Sequence, residues 1–458
     1  MQASITDKEI HLETKKISSL VWEYSIPAII GTLVNSLYNI VDRIFIGQGV
    51  GVYAISGLAI TFPVTTLASS LGLLVGVGAA SRISISLGEK KKHTAEQILG
   101  NSLMLILVFN AVIMTLFYVY LDNILFAFGA TENTLPYARD YLQIVLLGNV
   151  FISLCYSFNN MMRSSGYPRK AMITMLIGAV LNIVLDPIFI FVFKLGIAGV
   201  AWATVISMFV GMLFVMHHFV QDSSLIRLRR ENIRLDKNIV LAIVSIGLSP
   251  FLMQVAASGV AVLLNTSLIK HGGDLAVGAY GILNSMVLLI IMVVVGLNQG
   301  TQPIIGYNYG AKKFGRVKDT FFYAVKVATV ITSVGFIIGM FFPRLFATAF
   351  TTDQQLLDIA ENGIRLSMIA FPLVGFQIVA STFFQSIGQA KKAIIQSLSR
   401  QIIFLVPSLL IFPPLFGLNG VWISTPISDF LASMLSFYLL TGQIKAIRKM
   451  QENQPLYA

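Results

Sequence analysis

Residues Ile26–Ile46 read IPAIIGTLVNSLYNIVDRIFI, an apolar run of about twenty residues. That is the length an α-helix needs to cross the hydrocarbon core of a bilayer. One aspartate, Asp42, lies inside it, and a charged segment precedes it. No small-residue cleavage site follows, so the run reads as a retained helix and not as a signal peptide. Similar runs recur along all 458 residues, of which 56% are hydrophobic and only 12% charged. A soluble domain usually carries about 25% charged residues. The pattern predicts an all-α integral membrane protein with twelve transmembrane helices, near 18–47, 54–83, 96–121, 137–163, 169–193, 196–220, 238–269, 276–306, 317–343, 362–388, 392–412 and 419–441. Residues 5–17 suit a short amphipathic segment on the membrane surface.

The net charge of +11 does not point to nucleic acid. On these spans about three quarters of the basic residues fall in loops on one side, among them Lys90, Lys91, Lys92, Arg169, Lys170, Arg227, Arg229 and Arg230. Such an excess marks the cytoplasmic side and places both termini there. The location expected is a bacterial inner membrane. The stretch Gln221–Lys237 (QDSSLIRLRRENIRLDK) is polar and reads as a cytoplasmic linker between an N-terminal lobe, 1–220, and a C-terminal lobe, 238–458.

The halves repeat. Adding 222 to the residue number carries Gly78 to Gly300, Gly88 to Gly310, Lys90 to Lys312 and Gly166 to Gly388. A shift of 223 carries Pro27 to Pro250, and 221 carries Gly196 to Gly417 and Thr204 to Thr425. A register that drifts by one residue either way implies two copies of one unit. Six helices per copy return the chain to its starting side. The two copies form parallel six-helix repeats around a central cleft, as in proteins that alternate access by rocking one half against the other. Spacings such as Gly72–Gly76 and Gly296–Gly300 allow helices to approach closely. No Gly-Lys-Ser/Thr phosphate cradle is present, so no nucleotide site is expected. Cys155 is the single cysteine, which excludes an intrachain disulfide and a thiolate metal cluster. His217, His218 and His271 lack metal-ligand partners. No Ser/His pair or catalytic dyad beyond two aspartates appears, so the chain does not read as an enzyme.

Ionisable residues inside the apolar runs are few, and such residues usually serve a pathway or a bound ion. At about 1.5 Å per residue, Asp42 in helix 1, Asp186 in helix 5 and Thr204 in helix 6 fall in one layer of the outer half-membrane. Asn182 is one turn from Asp186 on the same face. Two carboxylates in a dry pocket repel each other, and a proton or sodium ion between them relieves the repulsion. The structural alternatives are that Asp42 pairs with Arg43, and that Asp186 binds backbone groups freed by Pro187. Asn298 and Gln299 belong to a polar stripe on helix 8 suited to a wet cavity. Pro27 and Pro250 bend helices 1 and 7 at matching places, with Pro27 a candidate hinge. Asp429 in helix 12 is expected to pack against Arg400.

The segments YSIPAIIGTLVNSLYNIVDRIFIG (Tyr24–Gly47), LNIVLDPIFIF (Leu181–Phe191), GLNQGTQPIIGYNYGAKK (Gly296–Lys313) and FFQSIGQAKKA (Phe383–Ala393) resemble the multidrug and toxic compound extrusion (MATE) family, and specifically its prokaryotic branch of multidrug exporters and DNA-damage-inducible-type members. The resemblance covers essentially the whole chain. It implies a twelve-helix antiporter, driven by protons or sodium, that exports cationic or amphipathic molecules. It matches Asp42, Asn182, Asp186 and Thr204 to a first-half cation site, and Tyr141 and Asn159 to positions lining that half's cavity. Tyr38 is assigned to the lining with them. No cofactor is implied beyond the coupling proton or sodium ion. The partners implied are small-molecule drugs or organic cations and the lipid bilayer, with no nucleic acid, and a monomer is expected. The second half departs from the pattern: Asn265 answers Asp42 and Pro407 answers Asp186, with Thr425 alone surviving. A flippase for a lipid-linked precursor is the alternative reading. It calls for a strongly basic cavity to hold a pyrophosphate, and the helices offer little beyond Lys326 and Arg400.

Overall fold

A computed structural model describes residues 11–452. Residues 5–10 of the surface segment expected at 5–17, and the extreme C-terminus, lie outside these residues. Among the described residues, nine helices are long and apolar enough to cross a membrane, and a pair bent by 55°, Gln354–Ser367 with Phe371–Ser386, makes a tenth. Two of the nine contain a glycine at positive φ where the helical path breaks, Gly273 (φ 66) and Gly417 (φ 57). Each of these is two spans, and the fold has twelve. They are α1 (Ile17–Gly49), α2 (Val52–Gly88), α3 (Lys92–Val119), α4 (Leu135–Ser164), α5 (Pro168–Pro187, continued by a π-helical turn Ile188–Val192) and α6 (Gly196–Val220). Then follow α7 (237–272), α8 (274–310), α9 (Phe314–Phe341), α10 (the bent pair), α11 (390–416) and α12 (418–452).

The duplication is written into the backbone. Residues at positive φ recur at the repeat spacing: Gly51 with Gly273, Lys90 with Lys312, Gly166 with Gly388 and Gly196 with Gly417. A left-handed residue is costly unless it is glycine. That the lysine pair adopts it in both copies shows that the turn after α2 and the turn after α8 are built alike.

The described chain forms two compact units, the first over 30–251 and the second from Leu252 onward, the second also containing Lys15–Ile29. The boundary expected at the 221–237 linker is therefore not where the fold divides. The first half of α1 packs with α8, where Ser25 donates to the Leu297 carbonyl at 3.2 Å. Any side chain at Gly300 would overlap the Ser25 backbone. In the other unit the first half of α7 packs on α2, where Gly247 abuts the Leu74 carbonyl. Close backbone approach of this kind is what small residues in membrane helices permit. The two divisions fall two residues after Pro27 and one after Pro250.

Within the first unit α4 is the hub, packed on α2, α6, α3 and α5. Gly72 and Gly76 of α2 meet Ser153 and Ser157 of α4, and Ser157 donates to the Gly72 carbonyl at 2.6 Å. The segment expected to be a linker is docked on this unit. Arg229 pairs with buried Glu96 at 2.9 Å, Asn101 accepts from the Asp236 amide at 2.6 Å, and Tyr167 donates to the Ser223 carbonyl at 3.0 Å. Its backbone groups thus find partners that a free tether would take from water.

In the second unit one apolar core runs from Val260 through Met286 and Phe371 to Trp422. Thr332 of α9 donates to the Pro372 carbonyl of α10 at 3.1 Å. Asp429 is buried and accepts from Arg400 at 2.5 Å, the packing expected of that pair.

Candidate functional site

Three helices of the first unit place the candidate residues: α1 carries Asp42, α5 carries Asn182 and Asp186, and α6 carries Thr204. Asp42 is 8% exposed, while Asn182 and Asp186 are 0% exposed. The Asp42 and Asp186 carboxyls are close enough to act on each other electrostatically. Asn182 donates through Nδ2 to Thr204 Oγ1 at 3.3 Å, which turns its carbonyl oxygen away from that contact. Asp42 Oδ1, Asn182 Oδ1 and both oxygens of Asp186 are buried with no protein donor among the described residues. Buried polar atoms are nearly always hydrogen-bonded. Here four acceptors are left over in one unit, and the two carboxyls face each other.

The local sequence accounts for the arrangement. Pro187 has no N–H, so the α5 ladder loses a donor directly after Asp186, and the helix widens into a π turn over Ile188–Val192. Neither structural alternative for the aspartates is realised. Asp186 bonds no freed backbone N–H. Arg43 forms no ion pair with Asp42 among the described residues; its guanidinium instead lies 6.0 Å from the centroid of the Phe62 ring.

Tyrosines surround the pair. Tyr141 of α4 lies near both carboxyls, and Tyr38 of α1 lies near Asp42. Tyr38 is 6% exposed and neighbours Tyr156, whose hydroxyl donates to Asn35 Oδ1 at 3.0 Å. Asn35 and Tyr156 were not singled out in the sequence. The signal was there, because Asn35, Tyr38 and Asp42 recur at the spacing of one helix face.

The other expected lining residues are not brought to this cluster. Asn159 lies far along α4 from Tyr141 and is tied down: it donates to the Ala171 carbonyl at 2.7 Å and accepts from Arg163 at 3.3 Å. Its place is a brace between α4 and α5. Asn298 and Gln299 belong to the second unit. Asn298 is 4% exposed with neither side-chain polar atom bonded, and Gln299 is half-buried. Pro27 stands inside α1 beside the division of that helix, also in the second unit.

Comparison with known proteins gives the same picture from another direction. The MatE family profile matches residues 27–188 and again 239–410. The Multidrug export protein MepA of Staphylococcus aureus is 31% identical over 443 residues, covering 95% of this chain and 96% of that protein. The protein of that name from Staphylococcus saprophyticus is 30% identical over 439 residues, with the same coverage of each. A structure described as the outward-facing conformation of a multidrug resistance MATE family transporter of the MOP superfamily superposes with a TM-score of 0.90 at 28% identity, over 96% of this chain and 98% of that one. Another, described as MATE in the bent conformation, gives 0.91 at 27% identity over 97% and 99%.

Proposed function

Because this chain belongs to the MATE family of membrane transporters, and is thus a transporter and not an enzyme, we propose that it exports cationic or amphipathic organic molecules in exchange for a proton or sodium ion. Multidrug efflux is the activity named for its relatives. The finer reading rests on one observation: the four buried acceptors of Asp42, Asn182 and Asp186 that no donor among the described residues reaches. A proton shared by the two carboxyls, or a sodium ion among the oxygens, is what such a set is suited to hold. Thr204 steadies Asn182, and Tyr38 and Tyr141 limit access of water.

Coupling then follows from linkage. An ion that binds one conformation better shifts the protein toward it, by no more than its difference in affinity for the two states. Filling the pocket removes the repulsion between the carboxyls, and emptying it restores the repulsion. The helices that carry the acids, α1 and α5, feel that change directly. Pro27 is the hinge proposed for α1, since the helix leaves one unit for the other beside it. On this reading the protein alternates access across a bacterial inner membrane, with the basic loops on the cytoplasmic side.

The test is transport in proteoliposomes with a sodium gradient and a pH gradient imposed separately. One of the two gradients is expected to drive uptake of a cationic dye by the wild-type protein, and Asp42→Asn and Asp186→Asn are each expected to abolish it. Undiminished gradient-driven transport in both variants would overturn the coupling site.

A further inference from the structure

Lys326 plays no part in the acceptor cluster, yet it sits well inside a span. It lies on a stripe of α9 with Phe322, Val330 and Val334, all of them exposed. Four-residue steps of exposed apolar side chains make a lipid-facing stripe. Among the described residues nothing pairs with Lys326 by salt bridge or hydrogen bond. An unpaired cation in hydrocarbon is costly, and it is drawn toward whatever anion its stem can reach.

The geometry supplies both a direction and a neighbour. Asp319, exposed on the same stripe, is seven residues earlier, about 10 Å along the helix. Side chains of a helix lean toward its N-terminus, so the Lys326 stem runs back toward the membrane surface at that end. One turn in the same direction lies Tyr323, whose hydroxyl oxygen accepts from Trp22 Nε1 of α1 at 3.0 Å. The bond uses an acceptor lone pair and leaves the tyrosine O–H free to donate. Trp22 is 37% exposed, and a tryptophan–tyrosine pair of this kind is typical of the headgroup level. Both partners lie in the second unit. A cation and a hydroxyl donor therefore stand three residues apart on one helix face, with an apolar stripe continuing from them toward the bilayer centre.

We propose that this seam between α1 and α9 binds an anionic phospholipid of the leaflet at the α9 N-terminal end. Lys326 and Tyr323 hold its phosphate, and its acyl chains lie along Val330 and Val334. Charge complementarity selects an anion, and the adjoining apolar stripe selects a lipid over a soluble phosphate.

The test titrates the delipidated full-length protein with phosphatidylglycerol and with phosphatidylcholine and counts bound lipids by native mass spectrometry. Wild type is expected to prefer phosphatidylglycerol by about fivefold, the effect of one lysine near an anionic surface. Lys326→Gln should abolish the preference and Lys326→Arg should keep it, with unfolding midpoints unchanged because the side chain is exposed. Trp22→Phe, which removes the donor that orients Tyr323, should lower the preference by a smaller factor. An undiminished preference in Lys326→Gln would overturn the proposal, as would equal binding of the two lipids by wild type. Displacement by millimolar inorganic phosphate, or an oligomer that Lys326→Gln dissociates, would overturn it too.

Discussion

The two repeats share a backbone down to the positive-φ residues of their turns, yet they treat buried acids in opposite ways. In the first, Asp42 and Asp186 are close neighbours, and among the described residues neither forms a salt bridge. In the second, Asn265 and Pro407 stand at the matching positions, and the buried acid is Asp429, held by Arg400 at 2.5 Å. A guanidinium is a permanent cation. The second repeat therefore carries its neutralising charge within the chain, while on the proposed reading the first leaves that place to an exchangeable proton or sodium ion. Duplication supplied one scaffold twice; the contrast lies in who provides the positive charge.

That contrast can be broken most sharply at the acids of the first repeat. Asp186→Asn and Asp42→Asn should reduce gradient-driven export to the level of empty vesicles. They should remain at least as stable as wild type in detergent, since each removes a charge without a partner. Arg400→Ala should do the reverse. It leaves Asp429, 1% exposed, without its cation and is expected to cost about 3 kcal/mol, the low end for a broken buried pair because Arg400 is itself partly exposed. Adding Asp429→Asn should restore most of that stability, read as the recovery of the unfolding midpoint in the double variant. Smaller effects are expected from the neutral members of the cluster. Asn182→Ala and Thr204→Ala should weaken the apparent affinity for the coupling ion by about tenfold, as loss of supporting ligands does, measured from the ion dependence of export. Pro27→Ala should slow turnover by about threefold while leaving ion affinity intact, which separates a hinge from a ligand.

The sequence carried the parts that depend on local chemistry. Twenty-residue apolar runs are long enough to span, so the helices and their turns could be placed. A constant repeat register could be read without coordinates. Asp42 and Asp186 stood out because charges are rare in such runs, and helix periodicity put Asn182 beside Asp186. What stayed hidden depended on contacts between distant residues. The division of α1 and α7 between the units comes from packing of Ser25 on Leu297 and of Gly247 on Leu74, which no local pattern announces. The 221–237 segment looks solvated because it is charged, but Glu96, more than a hundred residues away, takes up Arg229. Asn159 was expected to line the cavity because the family resemblance matched it there, and the resemblance gave no sign that its amide is used by the Ala171 carbonyl.

The claim that an exchangeable cation completes the first repeat is open to direct measurement. The unfolding midpoint of the purified protein is compared in sodium chloride and in choline chloride, each at pH 5.5 and pH 8. A ion that binds only the folded protein stabilises it in proportion to its concentration over its dissociation constant. The wild type should gain several degrees from sodium or from acid, and the Asp42→Asn/Asp186→Asn variant should gain from neither. Equal gains in the two proteins would contradict the account.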